Sequence, residues 1–427
     1  MNRTFTIVIV LNLLTIQMLF SQNKNTAELL GYDSQARLLI INADDFAMSH
    51  AENAATMDLL LGGHISSATI MVPCPWFPEV ARFCKENPQV DVGLHLTLTS
   101  EWENYKWGSV SSANLVPSLL TPEGYFHNSE FTVELWSRPE EVEIELRAQI
   151  ERAINAGIQP SHIDNHMGSV YGLYTGRDFL DVVFRLSAEY GLPFRLPRNI
   201  SDYYAQRLPE ERINKLETLA RDKVAQGFAL PDYLTSTSHG DTFEETFNLC
   251  RQLLQSLKPG VTELYLHAAM PTDEIKAITN AWIRRDYDYR LFKSDKMKSL
   301  LDSLGIIVIG WKDLQALQLE QLQTGIATTN TSATSAASGL QQNYPNPFNS
   351  ATTISYSLPH QTDIVLKIYN TIGELVRTII VGTQGPGLHK VQWDGNDRFG
   401  QPVTSGIYLY RIEGDGVSQT GKMMLVE

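Results

Sequence analysis

The sequence predicts two folded regions of different class, an α/β domain followed by a smaller all-β domain. Between about residues 35 and 319, short apolar runs alternate with amphipathic stretches, which is the pattern of parallel βαβ units in an open sheet or a barrel. After residue 343, strand-like alternation recurs in short segments separated by glycine-rich turns, which is typical of an antiparallel β-sandwich. Between these regions, TGIATTNTSATSAASG has no periodicity and few large side chains, and such a segment is predicted to be a flexible linker.

The elements of the α/β region follow from periodicity. Strands are predicted at 37–41, 67–72, 90–96, 193–196, 261–266 and 305–309, and helices at 140–156, 177–190, 210–226, 242–257 and 286–304. No GxGxxG or GxxxxGK[ST] motif follows any of these strands, so nucleotide binding lacks its main support. In the all-β region, strands are predicted at 352–358, 363–369, 374–381, 387–393, 405–412 and 420–426.

The N-terminus carries a targeting signal. Arg3 precedes an almost uncharged apolar run at 5–20, which is the arrangement of a secretory signal peptide and is short for a bilayer span. An uncleaved anchor is the alternative. The predicted organisation is a signal peptide at 1–21, an N-terminal extension at 22–34, the α/β domain at 35–319, the linker at 320–342 and the β-sandwich at 343–427.

Composition excludes several classes of protein. Of the 427 residues, 43% are hydrophobic, which is enough to form buried hydrophobic cores. The net charge of −14 gives the chain no electrostatic affinity for nucleic acid. The three cysteines at 74, 84 and 250 form no CxxC pair, so neither a disulfide framework nor a cysteine zinc site is expected. Small buried thiols are the favoured interpretation, with one bridge left open for an exported protein.

Four segments carry the candidate chemistry, each at a strand end or within a strand. Their titratable residues are Asp44 and Asp45, then His95, then His162, Asp164 and His166, and finally Glu263 and His267. Taken singly, each has an ordinary structural explanation, such as helix capping by the aspartate pair or a core position for His95. The alternation of HIDNH, however, places three polar titratable groups on one strand face, which is rare in a packed core.

Together the four segments indicate a catalytic site for a divalent metal ion. An aspartate and two histidines from different strand ends leave coordination positions open. Such an ion lowers the pKa of a water, a second carboxylate accepts the proton, and a separate histidine protonates the leaving group. These groups suffice to hydrolyse an amide. No GxSxG motif is present, so a serine nucleophile lacks support.

The stretches INADDFAMSHAEN (41–53), GGHISSATIMV (62–72), DVGLHLTL (91–98), ELRAQIERAINAGIQPSHIDNHM (145–167), AEYGLPFRLPR (188–198) and TELYLH (262–267) resemble the YdjC-like (chitooligosaccharide deacetylase-like) carbohydrate deacetylases. The resemblance implies a distorted TIM-like (β/α) barrel. It also implies metal-dependent removal of N-acetyl groups from amino sugars.

The resemblance also implies roles for individual residues. Asp45, His95 and His166 would hold one divalent ion, Mg²⁺ or Zn²⁺. The catalytic groups would be Asp44 as general base, His267 as general acid or oxyanion stabiliser, and Arg195 as the cation that keeps Asp44 charged. His162, Asp164 and Glu263 would lie behind the ligands and orient them. Spacing alone leaves His162 as good a ligand as His166.

This chain departs from the family pattern on the substrate side. It has Ala47 where the family has the glycine of DDFG, Met167 where another histidine follows HxDxH, and Ala268 where a proline follows the last histidine. A loop region rich in aromatic residues follows His95, and in it Trp102 and Trp107 are candidates for stacking on sugar rings as a lid. A loop packed down by its own aromatic residues is the alternative.

The β-sandwich carries a second resemblance. NYPNPFNSATTISYSLP (343–359), VLKIYNTIGELVRTI (365–379), GLHKVQWDGNDRFGQPVTSGIYLYRI (387–412) and the terminal KMMLVE are similar to the sorting domain of the type IX (Por) secretion system, an immunoglobulin-like module. With the signal peptide, this implies two-step export to the cell surface or medium, with the type IX machinery as a partner. The residues alone predict only a small β-sandwich appendage, for which an adhesion or sugar-binding module is an alternative.

The expected function is therefore an exported metal-dependent carbohydrate deacetylase that acts on an acetylated oligo- or polysaccharide. One alternative is a non-catalytic surface protein that binds glycans on a retained barrel. The other is a metal-dependent hydrolase of O-acetyl esters or of a non-sugar amide. Nucleic-acid partners and a stable membrane span after signal cleavage are not expected. The sequence leaves open the sugar, linkage and chain length, the metal, the oligomeric state and any removal of the C-terminal domain.

Overall fold

The computed structural model describes residues 24–329, 339–340, 343, 346, 348–358, 361–370, 373–385, 387–414 and 417–426. The chain divides into two compact units, residues 1–323 and 324–427. The predicted signal peptide at 1–21 lies outside the described residues. Across the described part of the chain, no helix combines the length and apolar character needed to cross a membrane.

The first unit alternates strands and helices as its periodicity predicts. Its strands are β1 Arg37–Phe46, β2 Ser67–Ile70, β3 Val92–Leu96, β4 Ile163–Asn165, β5 Tyr233–Ser236, β6 Gly260–Leu266 and β7 Ile307–Val308. Its helices are α1 Thr26–Leu29, α2 His50–Leu61, α3 Phe77–Glu86, α4 Glu130–Trp136, α5 Pro139–Asn155, α6 Leu180–Tyr190, α7 Asp202–Ala205, α8 Glu210–Ala225, α9 Phe243–Gln255, α10 Asp273–Ile278, α11 Trp282–Lys293, α12 Asp295–Ser303 and α13 Trp311–Thr329. Single 3₁₀ turns lie at Ala113–Leu115, Pro117–Leu119 and His166–Gly168.

All strand pairs in this unit are parallel. The sheet has the order β4-β3-β2-β1-β6-β5, and β7 also pairs with β1. From Leu38 onward every residue of β1 is buried, because a parallel strand inside such a sheet is covered on both faces. The pairings His95 with Asp164 and Ala43 with Leu266 bring the carboxyl ends of β1, β3, β4 and β6 to the same edge.

The sheet curls into a half-barrel and does not close into a regular ring within the described residues. The predicted strand at 193–196 contributes only an isolated bridge between Phe194 and Ile163. The reason is chemical: Pro193 and Pro197 carry no N–H to donate to a neighbouring strand. The segment that begins at Pro193 still links the two edges of the sheet. Next to its bridge with β4, the N–H groups of Arg198 and Asn199 donate to the carbonyl oxygens of Pro231 and Asp232, which directly precede β5.

The largest differences from the predicted helices and linker lie after residue 286. The single helix expected at 286–304 is two helices, α11 and α12, because the Ser294 side chain caps the second one by accepting the N–H of Met297. Helix α13 continues to Thr329, so the first ten residues of the predicted linker at 320–342 are helical. The three cysteines are free and buried, as the favoured interpretation expected.

The second unit is all β. Its strands are β8 Gly339–Leu340, β9 Thr352–Leu358, β10 Thr362–Asn370, β11 Leu375–Gln384, β12 Gly387–Trp393, β13 Gly406–Gly414 and β14 Val417–Leu425. They form two antiparallel sheets with the orders β11-β10-β13-β14 and β12-β9-β8. Phe348, Trp393 and Tyr408 lie in one apolar cluster with alternate residues of both sheets. This is the packing of a β-sandwich.

Candidate active site

The candidate site lies at the carboxyl edge of the parallel sheet, where side chains from four strand ends meet. A cavity of about 450 Å³ is lined there by Asp44, Asp45, His95, His166 and His267. In parallel α/β sheets this edge is the usual place for a binding site. The predicted ligands and the two predicted proton-transfer groups therefore share one cavity.

Adjacent residues of a strand normally face opposite sides, yet Asp44 and Asp45 both line the cavity. Two local features make this possible. The pairing of β1 with β2 shifts register between Ala43 and Phe46, and Asp45 has φ +63°, in the left-handed region. Ala47, with φ +85°, lies in the same region and donates its N–H to the Asn53 side chain at 2.8 Å. The site thus depends on backbone strain of a kind that clusters at functional sites.

Asp45, His95 and His166 form a compact set of potential metal ligands. Asp45 Oδ1 lies 3.5 Å from His95 Nε2 and 3.3 Å from His166 Nδ1. All three side chains are buried, and Asp45 Oδ1 has no hydrogen-bond partner among the described residues. A buried carboxylate oxygen without a hydrogen bond, facing two imidazole nitrogens, fits a divalent cation with mixed oxygen and nitrogen ligands.

A second carboxylate orients each imidazole. Asp164 Oδ1 lies 2.6 Å from His95 Nδ1, and Glu101 Oε2 lies 3.0 Å from His166 Nε2. Each carboxylate is placed to accept the proton of one ring nitrogen, so the other nitrogen, His95 Nε2 or His166 Nδ1, faces Asp45 and would bind an ion after losing its own proton. Burial lowers the pKa of His166, but Glu101 and Asp45 outweigh burial and raise it to about 10.

Asp44 is held by Arg195 in a bidentate ion pair. Arg195 Nη1 and Nη2 each lie 2.7 Å from one oxygen of Asp44. Burial alone would raise the pKa of Asp44, but the guanidinium outweighs burial and holds this pKa well below its ordinary value. The same guanidinium contacts Asp164 at 2.8 Å and, through Nε, Glu263 at 3.0 Å. It therefore joins Asp44 to Asp164, and these two residues form with His95 a second group whose atoms are close enough together to hold a cation.

The remaining predicted residues are Asp164, Glu263 and His162, and they differ in what they contact. Asp164 contacts His95, and Glu263 contacts Arg195. His162 does not contact the ligands: its ring stacks on Trp311 at 4.5 Å, and its Nδ1 lies 2.8 Å from the Ser161 hydroxyl. The geometry thus favours His166 over His162 as the ligand.

His267 lies on the opposite side of Asp45 from the imidazole pair. Its Nε2 is 3.9 Å from Asp45 Oδ2, and its side chain is 36% exposed, toward the cavity that it lines. Desolvation lowers the pKa of His267. Its backbone N–H donates to Asp288 at 3.0 Å, and Asp288 also contacts His239 at 2.8 Å.

Sequence reasoning missed two charged residues of the site, Glu101 and Arg285. Arg285 on α11 donates to Asp45 Oδ2 at 2.8 Å and to Glu52 at 3.0 Å. It also lies over the ring of Trp102, 5.4 Å from the centroid. Neither residue belongs to a recognisable motif. In the sequence each is only a charged residue, Glu101 in a loop and Arg285 in a helix, and the tertiary fold brings both to the site.

The predicted substrate contacts at Trp102 and Trp107 need correction. Trp107 is 2% exposed, donates its indole N–H to the Thr99 carbonyl, and packs edge-on against His166 at 6.1 Å. Trp102 is partly buried against Trp107 and Tyr105. Neither tryptophan is among the residues that line the cavity, because the loop packs on its own aromatic residues. The apolar cavity wall comes instead from residues such as Tyr171, Leu173, Ile200, Tyr204 and Tyr265.

Comparison with known proteins supports the assignment of the first unit. Residues 38–303, well over half of the chain, match the family described as YdjC-like protein. A Thermus thermophilus protein named carbohydrate deacetylase is 30% identical over 265 residues, which cover 62% of this chain and 89% of that protein. A Brevibacillus brevis protein of the same name is 37% identical over 159 residues, 37% of this chain and 59% of that protein.

A solved structure resembles the same region. It is that of an Enterococcus faecalis V583 protein whose name refers to cellobiose-phosphate cleavage, with 25% identity and a TM-score of 0.54. The match covers 65% of this chain and 99% of that protein. In the second unit, residues 346–417 match the FlgD Ig-like domain. This match supports an immunoglobulin-like fold for the unit, and the sorting role predicted for it stays a prediction.

Proposed function

The chain belongs to the YdjC-like family, and on this premise we propose that it is an exported, metal-dependent carbohydrate deacetylase that hydrolyses the N-acetyl group of an amino sugar. The observation that carries the proposal is the position of Asp45 Oδ1. This buried oxygen lies between His95 Nε2 and His166 Nδ1 without a hydrogen-bond partner among the described residues. Asp44 and His267 line the same cavity.

Asp45, His95 and His166 would hold the divalent ion. When bound, a Zn²⁺ or Mg²⁺ ion supplies Lewis acidity, which polarises the amide carbonyl and lowers the pKa of a water molecule. Asp164 and Glu101 contribute by keeping the two imidazoles in the tautomers that ligation needs. The donor set suits several divalent ions.

Asp44 is the proposed general base. Its carboxylate is ionised at neutral pH because Arg195 binds both of its oxygens, and it lines the cavity where the attacking water must lie. Hydrogen bonds from Arg195, Asn42 and Thr69 fix its orientation. A fixed, ionised carboxylate can accept the proton of the water as the water attacks the carbonyl carbon.

His267 is the proposed general acid. It faces Asp45 Oδ2, whereas the two ligand imidazoles face Oδ1, and it lines the same cavity as the proposed base Asp44. A proton on its Nε2 can pass to the departing amine nitrogen, and the lowered pKa of His267 means that the imidazole holds this proton only weakly at neutral pH. Asp288 fixes the backbone of His267.

The first experiment measures acetate release from N-acetylated chitooligosaccharides, with and without a chelator and after addition of Zn²⁺ or Mg²⁺. We expect chelator-sensitive release that one ion restores. Asp45→Asn should lose both ion binding and release, whereas Asp302→Asn, the same change at an exposed position of α12, should keep both. An Asp45→Asn protein that retains the ion and full activity would contradict the proposal.

The same assay separates the alternatives. Acetate release from O-acetylated sugars alone would identify an esterase. Saturable oligosaccharide binding with no release from either substrate would identify a glycan-binding protein. Comparing amide and ester substrates in parallel therefore tests the reaction class directly.

For export, we propose that residues 343–427 act as a type IX sorting domain. The proposal rests on the sequence resemblance, and the match of residues 346–417 to an Ig-like domain is compatible with it. In a host with this system, the full chain should reach the medium or the cell surface, and a chain that ends at residue 342 should stay in the periplasm. Equal export of both chains would contradict the sorting role.

A further inference from the structure

A pair of exposed aromatic side chains lies on the surface of the first unit. Phe131 on α4 is 48% exposed and Tyr174 is 62% exposed, and their rings meet edge-to-face with centroids 6.4 Å apart. Leu135, one helical turn after Phe131, is also 48% exposed. Isolated exposed apolar residues are ordinary, but an adjacent group of them on a folded surface often marks a binding site.

The backbone beneath this pair is fixed. Glu134 is fully buried, and its carboxylate accepts the N–H of Tyr174 at 3.0 Å and the hydroxyl of Thr175 at 2.7 Å. The Arg177 guanidinium donates to the carbonyl oxygens of Glu134 at 2.8 Å and Ser137 at 2.6 Å. These contacts hold α4 to the loop that carries Tyr174, so the two rings are presented in a preorganised arrangement, which lowers the entropic cost of binding.

The two chain segments that carry the pair also reach the candidate active site. Leu173, directly before Tyr174, lines the catalytic cavity together with Met167 and His166. On the other side, Glu130 directly precedes Phe131, and it lies close enough to His166 and Glu101 to interact with their charges. Both segments therefore lead from the rings to the metal-ligand end of the cavity.

We propose that Phe131 and Tyr174 form a sugar-binding subsite for a residue of the substrate beyond the one that is deacetylated. This inference rests on the proposed function and extends it, since it makes the preferred substrate an oligosaccharide rather than a single amino sugar. Aromatic faces pack against the C–H faces of sugar rings, and the half-buried Glu130 offers a carboxylate acceptor for hydroxyl groups beside them. Tyr174 directly follows Leu173, which lines the cavity, so a substrate longer than one sugar could extend from the cavity toward the pair.

The test compares Phe131→Ala, Tyr174→Ala and the double variant on N-acetylglucosamine oligomers from the monomer to the hexamer. We expect kcat/KM for the longer oligomers to fall about tenfold or more in the double variant, a loss of about 1.4 kcal/mol, while the value for the shortest substrate stays within about twofold. Trp136→Ala is the matched control. Trp136 is an exposed aromatic residue of the same helix, but it packs on His127 at 5.2 Å.

Two results would overturn the subsite. One is an equal loss for all chain lengths, and the other is an unchanged length dependence in the double variant, as expected if the pair binds another protein. An equal effect of Trp136→Ala would also overturn the assignment to this pair. If the wild-type protein releases no acetate, calorimetric titration with the hexamer still decides the point: the double variant should bind it at least about tenfold more weakly than the wild type, and equal affinity would refute the subsite.

Discussion

Arg285 Nη2 lies 2.8 Å from Asp45 Oδ2, on the opposite side of this carboxylate from the two ligand imidazoles. One oxygen of Asp45 is thereby engaged by the guanidinium, and Oδ1 alone faces His95 and His166. Arg285 is itself anchored by Glu52 at 3.0 Å. An arginine on α11 therefore sets the direction in which the proposed metal ligand points.

Replacing Arg285 should weaken the site without removing a ligand. We expect Arg285→Gln to lower ion affinity or kcat by about 10- to 100-fold, the usual cost of removing a group that orients a metal ligand. Arg285→Lys keeps the positive charge but lacks the two guanidinium nitrogens that bind Asp45 and Glu52 together. It should therefore recover part of the lost ion affinity or kcat. Chelator competition and acetate-release kinetics measure the two quantities.

The matched control is Arg284→Gln, because Arg284 is the neighbouring arginine of the same helix and is exposed. It should behave like the wild type in both measurements. If Arg285→Gln binds the ion and turns over substrate as Arg284→Gln does, the guanidinium does not orient Asp45.

Asp44→Asn should separate ion binding from catalysis. Asp44 is bound by Arg195, and the potential metal ligands are Asp45, His95 and His166, so the variant should keep its ion. Because an amide cannot accept the proton of the water, we expect kcat to fall about 100- to 10,000-fold, with KM nearly unchanged. Metal analysis of the purified variant is the control, and loss of the ion would show that Asp44 acts in ligation instead.

The sequence was sufficient to predict the parallel sheet and most of the site, because buried strands read as apolar runs and their polar ends stand out. The strand ends identified the candidate residues, and the choice of Asp45, His95 and His166 among them came from the family resemblance. The resemblance placed His162 behind the ligands, and strand alternation placed it on one face with Asp164 and His166, but neither shows that its ring stacks on Trp311. Glu101 and Arg285 reach the site only through tertiary packing of a loop and a helix.

The dependence on tertiary packing also explains why the sequence analysis proposed Trp102 and Trp107 as substrate contacts. Composition identified a cluster of tryptophans after His95, but only the fold shows that Trp107 is buried against His166. The pair at Phe131 and Tyr174 is 43 residues apart in sequence and is brought together by hydrogen bonds to Glu134. No local pattern in the sequence marks such a pair.

Glu263 should make the stability of the first unit depend on pH. Burial raises the pKa of Glu263 from 4.5 to about 7, against the opposing charge of Arg195. The folded state therefore binds a proton that the unfolded state has lost between these two values, so stability falls as pH rises through this interval. Glu263→Gln removes this titration while keeping an oxygen for the Trp311 indole N–H.

We expect the difference in melting temperature between about pH 5 and about pH 8 to be smaller in Glu263→Gln than in the wild type. Burial likewise raises the pKa of Glu52 to about 7. Because Glu52 is present in both proteins, the melting temperature of the variant should still depend on pH, but less steeply. Calorimetry at the two pH values makes the comparison. If the melting temperatures of the two proteins change equally between these pH values, Glu263 is ionised in the folded protein at both.

Ala47→Gly should stabilise the protein. Ala47 has φ +85°, a conformation that costs an L-residue about 1 kcal/mol and costs glycine almost nothing. The greater backbone freedom of glycine in the unfolded chain offsets part of this gain, so we expect a net increase of about 0.5 kcal/mol, or one to two degrees in melting temperature. Ala277→Gly, at an exposed position inside helix α10, should instead lower stability, since glycine is unfavourable in a helix interior. If both substitutions destabilise the protein to the same extent, the turn after Asp45 stores no strain that glycine can relieve.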